Sequence, residues 1–141
     1  MLPTGKAELG VFNGSSYPLV DGLTTLSAGV WYHLCGVLDA AGTLSIYVNG
    51  KLDNTAAFSG SPGSDSTALR LGNSFAANRP LAGSLDGASV WIGVGLSAAQ
   101  VAALYLEGLA GNPNRWRWVE FGGRTVFAPA ANFANVWLLK A

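Results

Sequence analysis

Charge is the first thing this sequence lacks. Only 11% of its 141 residues are Asp, Glu, Lys or Arg, against about 25% in a typical soluble domain. The few charges cancel, eight basic against eight acidic, and they form no basic stripe or tail. That removes the electrostatic basis for a nucleic-acid partner, whose phosphates are met by clustered Lys and Arg. So little charge is unusual for the surface of a free monomer, and it points to coverage by other chains. Cysteine is nearly absent too. Cys35 stands alone, so no internal disulfide and no zinc cluster can form. Its setting, "HLCGV", is a strand interior, where a thiol is expected to be buried and inert. Long apolar runs are missing: none reaches the ~18 residues of a membrane span. The opening "MLPTGKAELG" also lacks the apolar centre of a signal peptide. The expectation is a soluble chain with no export signal of its own.

Against those absences stands an abundance of apolar residues, 50% with glycine left out. A chain of this length is expected to form a single domain over residues 1–141, burying roughly 70% of its unfolded surface. The dominant signal is short β runs punctuated by glycine. "ELGVF" (8–12) reads as a strand closed by Asn13-Gly14, and "YPLVDGLTTL" as weakly extended, interrupted by Pro18 and Gly22. "GVWYHLCGVLD" (29–39) is a strong strand. Trp31, His33, Cys35 and Val37 fall on one face, and Tyr32, Leu34 and Leu38 on the other, so both faces are expected to be buried. A turn at 40–42 returns the chain into "TLSIYVNG" (43–50), which ends on an Asn-Gly turn signal. Residues 59–67 read as a loop, "ALRLGN" as a short strand, "NSFAANRP" as a second loop, and 81–93 as a long, kinked strand.

One helix stands out. Ser97-Ala98-Ala99-Gln100 is a capping box, in which the serine oxygen accepts an early helix N–H and the glutamine reaches back. Leu96 and Val101 are spaced for a hydrophobic staple, Val101, Leu104 and Tyr105 for a buried stripe, and Gly108 for a C-cap. Residues 112–141 read as a C-terminal extension: "RWRWVEF" and "RTVFA" form a hairpin about Gly122-Gly123, and "NVWLLK" is a last strand. The fold class is therefore all-β, an antiparallel β-sandwich or jelly roll with one short helix in the C-terminal half.

Several of these stretches, taken in order, resemble the laminin G-like, concanavalin A-like lectin and glucanase superfamily. "VWYHLCGVLDAAGTLSIYVNGKL" is similar to its signature hairpin: a Trp-x-His strand, a small turn, then an apolar strand ending in Tyr-Val-Asn-Gly. "LRLGN" resembles its next strand, and "LAGSLDGASVWIGVGLSAAQVAALY" its closing strand and the helix after it. Together these cover about half the chain. The resemblance implies two stacked antiparallel sheets, often with calcium at the rim, and roles in glycan binding, adhesion and protein–protein contact. It also leaves a shortage of strands before Trp31. Either the C-terminal hairpin and last strand make up that shortage, or a partner chain does.

Candidate chemistry is sparse. Glucanases resembling this fold use Glu-x-Asp-x-x-Glu on one strand. The glutamates here are Glu8, Glu107 and Glu120, and none has a carboxylate two residues on. No enzyme activity is therefore expected. "GVGLSA" (93–98) formally matches Gly-x-Gly-x-x-Ala. A dinucleotide fold needs several βαβ units, and the upstream chain is hairpins. His33, the sole histidine, lies in an apolar strand with no nucleophile placed near it, and reads as a core residue. Asp86 matches the aspartate that the family resemblance implies before the helix. With Asn73 or Asp65 from neighbouring loops it makes a weak candidate calcium site. Trp116 and Trp118 alternate with Arg115 and Arg117. In a strand the tryptophans share a side, either plugging the core or stacking on a sugar ring.

Two function classes follow. The first is a non-catalytic structural subunit of a larger assembly, a homo-oligomer or a capsid or tail component. The superfamily it resembles is mostly extracellular, yet no export signal is visible. A phage virion component (capsid decoration, or a tail or fibre module), assembled in the cytoplasm and released by lysis, meets both facts. The alternative is a carbohydrate-binding, lectin-like module of a secreted or surface protein. The expected location is accordingly virion or extracellular, with protein subunits or glycans as partners.

Overall fold

The computed structural model describes residues 5–63, 70–73, 80–109, 117–121, 124–128 and 136–140, the last three segments as backbone only. Its elements are β1 (Lys6–Gly10), β2 (Leu19–Thr25), β3 (Trp31–Leu38), β4 (Thr43–Val48), β5 (Lys51–Ala57), β6 (Ser84–Ser89), α1 (Ala98–Leu109), β7 (Arg117–Phe121), β8 (Arg124–Ala128) and β9 (Val136–Lys140). Five strands form one sheet in the order β5-β4-β3-β9-β6. β1 and β2 form a second, and β7 and β8 pair antiparallel as a third. Every described pairing is antiparallel. This is the expected fold class: a mostly-β sandwich with one short helix.

Period-two alternation in β3 and β4 sorts their side chains onto two faces. Leu44, Ile46 and Val48 point toward β1 and β2, where they meet Val20, Leu26 and Phe58, with Leu9, Val11, Tyr32 and Leu34 packed around them. Cys35, Val37 and Tyr47 form the other face, covered by Leu96 and Val101, with Trp91 and Leu104 against them. Of β3, the His33, Cys35 and Val37 face is buried and the Tyr32, Leu34 and Leu38 face half-buried, so the expected burial on both sides is complete on one. Trp31 at its start is the departure, 48% exposed.

The turn after β4 is set by Asn49, whose φ of 51° is a left-handed value that asparagine tolerates. Asn49 also locks onto β3. Its N–H donates to the His33 carbonyl at 2.8 Å, and its Oδ1 accepts the His33 N–H at 3.0 Å. The helix begins with the expected box: the Gln100 N–H donates to Ser97 Oγ at 3.3 Å, and the Ser97 N–H to Gln100 Oε1 at 2.9 Å.

Six sequence expectations are corrected. β1 spans Lys6–Gly10 rather than 8–12, because the pairing register with β2 brings Lys6 opposite Thr25. β2 runs unbroken through Gly22. β5 was not anticipated; it pairs along β4 once the Asn-Gly turn reverses the chain. β6 is limited to Ser84–Ser89, with a register shift between Asp86 and Ser89. The helix continues past Gly108 to Leu109. Of "ALRLGN", the described residues 70–73 are a bend, not a strand.

Candidate functional site: a cleft at the sandwich rim

The expected binding residues are not brought together among the described residues. Arg115 and Trp116 lie outside them. Arg117 and Trp118 are on β7, opposite Ala128 and Phe127. Of the calcium candidates, Asp86 is exposed on β6, Asn73 is half-buried in the bend at 70–73, and Asp65 lies outside the described residues. Calcium takes six to eight oxygen ligands. Among the described residues no three His, Cys, Asp or Glu side chains gather to hold a metal.

His33 is buried, and its ring packs against Tyr105 with centroids 5.7 Å apart. Cys35 is buried beside it in the sheet, and burial pushes its thiol pKa up to about 12. At neutral pH it carries no thiolate, so it is inert as a nucleophile.

What the fold does assemble is a cleft of about 560 Å³ at one rim of the sandwich. Three chain segments converge there: the β3–β4 turn at 39–42, the segment 58–62 after β5, and residues 91–95 before α1. Their closeness has a local cause at each junction. Asp39 caps its own turn, its Oδ1 accepting the Thr43 N–H at 2.9 Å. The Phe58 N–H donates to the Gly42 carbonyl at 2.7 Å. Gly42 has φ +80°, and a Cβ there would sit 2.8 Å from the Phe58 oxygen, so only glycine fits. At Gly95 a Cβ would come within 3.0 Å of the Asp39 Cα, which is how 91–95 closes onto the end of β3.

The walls are chiefly apolar: Val11, Leu38, Phe58, Pro62 and Trp91. Trp91 is half-buried, anchored on the Cys35–Val101 side of the core while also lining the cleft. Next to it Ile92 is 93% exposed. Asp39 is the one ionisable side chain among the described lining residues. The chemistry on offer is therefore an aromatic face, aliphatic walls, backbone amides and carbonyls, and a single carboxylate. Such a site can hold a ligand by stacking and hydrogen bonding.

Sequence reasoning did not find this site. Trp91 was visible only as part of a closing strand, and the partners that make it a cleft residue come from segments about 30 and 50 positions earlier. The available signal was the glycine density at all three segments, Gly42, Gly60, and Gly93 with Gly95.

Comparison with known proteins gives one match. A laminin G-type family model, described as the concanavalin A-like lectin/glucanases superfamily, matches residues 3–102. No curated protein and no solved structure matches significantly.

Proposed function

The chain belongs to the concanavalin A-like lectin/glucanases superfamily, and from that premise we propose that it is a non-catalytic carbohydrate-binding module whose site is the rim cleft. The observation that carries the reading is the position of Trp91, anchored in the core on one side and lining the cleft on the other, with the Asp39 carboxylate in the same lining. A sugar ring has an apolar C–H face and a polar edge. An aromatic ring, negative on its face, attracts the first. A carboxylate and backbone groups accept and donate to the second.

A glycan array, run with and without chelator, tests this and the calcium expectation together. Saturable binding is expected, and a flat array would remove the reading. In calorimetry Trp91→Phe keeps an aromatic in the core but shrinks the stacking face. It should weaken binding roughly tenfold, about 1.4 kcal/mol. Unchanged affinity would place the ligand elsewhere.

A second reading is supported by a different observation. Large apolar side chains stand exposed on several elements: Leu23 on β2, Leu52 on β5, Ile92 before the helix, and Leu106 and Leu109 on α1. With so little charge to keep copies apart, they favour a subunit that packs into an assembly, including the virion component considered above. Sedimentation decides: a strict monomer at high concentration would count against assembly, and a defined oligomer for it.

A further inference from the structure

We propose that the binding site extends beyond the cleft onto the turn at residues 12–17, and that it takes a neutral, extended oligosaccharide with Tyr17 as an outer stacking platform. This rests on the carbohydrate reading and specifies its ligand.

The turn is built as a rigid projection. Asn13 Oδ1 accepts the N–H groups of Ser15 and Ser16 at 3.1 and 2.9 Å. It also accepts both serine hydroxyls, at 3.1 and 3.3 Å. The Asn13 N–H donates to the Ser16 carbonyl at 3.0 Å, and the Val11 N–H to the Pro18 carbonyl at 3.1 Å, closing the base. Tyr17 stands on this frame 60% exposed. Its ring is held against Phe12, with centroids 4.8 Å apart and planes 35° apart. An exposed tyrosine on a mobile turn would lose rotamer freedom on binding a ligand. Here the stack and the turn have already fixed it, so a ligand meets a preorganised face.

The same turn is bonded to a wall of the cleft. Asn13 Nδ2 donates to the Ser59 carbonyl at 3.1 Å, and the Gly63 N–H donates to the Phe12 carbonyl at 2.8 Å. Between those two bonds lie Gly60, Ser61 and Pro62, all of which line the cleft, and Val11, next to Phe12 at the same end of the turn, lines it too. Phe12 is thus bonded to the segment that forms the wall, and Tyr17 stacks on Phe12; we take the pair as the continuation of the cleft. A ligand reaching from Trp91 to Tyr17 has to cross that wall, which a chain of sugars does and a single sugar does not.

Charge sets the other half of the specificity. Among the described residues the cleft lining offers a carboxylate and no cation, and the turn at 12–17 carries no charged residue. Sulfated or uronate sugars would meet repulsion from Asp39 that no described lining residue offsets.

The test is a length series of β-linked glucose and N-acetylglucosamine oligomers, from monosaccharide to hexasaccharide, with a sulfated or uronate series of matched length. Calorimetry on the wild type, Tyr17→Ala and Tyr17→Phe reads each. Affinity should rise with length for the neutral series. Tyr17→Ala should flatten that rise, weakening the longest oligomer about tenfold and leaving the shortest unchanged, while Tyr17→Phe restores it. Because the ring is exposed, the thermal midpoint of each variant should match the wild type and separate lost binding from lost fold. Binding without length dependence, or a Tyr17→Ala loss equal at all lengths, overturns the extended site. A preference for the anionic series overturns the neutral specificity. No binding by any sugar overturns the carbohydrate reading itself, and this inference with it.

Discussion

The two faces of the β3–β4 hairpin are covered by different means. Toward β1 and β2 the contact is aliphatic: Leu44, Ile46 and Val48 against Val20, Leu26 and Phe58. Toward α1 the same strands present His33, Cys35, Ser45 and Tyr47, with Leu96 and Val101 laid over them. A sheet laid on a sheet matches many side chains at once and tolerates few polar atoms. A single helix presents a narrower stripe, so the face beneath it can carry a histidine, a thiol and a phenol. The first face acts as the structural core. The second carries the anchor of Trp91, and so holds up the cleft.

That contrast predicts unequal responses. Leu44 is fully buried at the centre of the aliphatic face. Leu44→Ala removes its contacts and leaves a cavity, so it should cost about 2–5 kcal/mol in denaturant unfolding. A loss near zero would mean the β1–β2 layer does not close this face in solution. On the helix face, Ser97→Ala removes the oxygen that accepts the Gln100 N–H and should cost about 1 kcal/mol. Its diagnostic is the cleft: loosening α1 should loosen the Trp91 anchor, so ligand affinity should fall along with stability. Affinity that holds would uncouple the helix from the site.

The smallest expected effect tests the tie between the layers. Asp53 on β5 accepts the Leu23 N–H at 2.7 Å and, at its two oxygens, the Thr24 N–H at 3.2 Å and the Thr24 hydroxyl. These groups fall where β2 bulges against β1. Gly22 makes room, since a Cβ there would stand 2.7 Å from Asp53 Oδ2. Burial alone would raise this carboxyl's pKa. The hydrogen bonds from Thr24 and Leu23 and the charge of Lys6 outweigh it and hold the pKa below the usual aspartate value. A lowered folded pKa contributes stability that is fully present above the unfolded value of about 3.9 and is lost as pH falls through the folded one. Stability should therefore drop on acidification below about pH 4, and Asp53→Asn should reduce that slope. An identical slope in the variant would assign the acid sensitivity to other carboxyls. The effect is small because Asp53 is only half-buried and solvent screens it.

Where one physical signal dominated, the sequence was readable. β3 and β4 could be seen because alternation and apolar density agree, and α1 because Ser97 and Gln100 are local to each other. β5 was not, because "KLDNTAA" has little β propensity of its own. It is a strand because β4 offers a ladder and because Asp53 and Asn54 bond to β2, Asn54 Nδ2 donating to the Asp21 carbonyl at 2.8 Å. β2 seemed interrupted at Gly22, yet the glycine is where Asp53 enters. The cleft was the least legible part. No stretch of sequence contains it, and Asp39, Phe58 and Trp91 become neighbours only through the packing of three turns. The Trp-Arg alternation at 115–118 drew notice because it is local, and locality is what sequence reading detects.

The place of β9 sets an order of events. In the five-stranded sheet β9 is the one strand neighbour of β6 among the described residues, and β9 lies between β6 and β3. Trp31 pairs with Lys140, so this join spans roughly three-quarters of the chain, a contact of the kind that slows folding most. During synthesis β1 to β5 and α1 can pack as soon as they are made. β6, made before the helix, waits for its described strand neighbour until residues 136–140 arrive. Residues 91–95 follow β6 closely, so one wall of the cleft stays tethered on a single side for that interval. Ligand competence should therefore appear last, after the aliphatic core has formed.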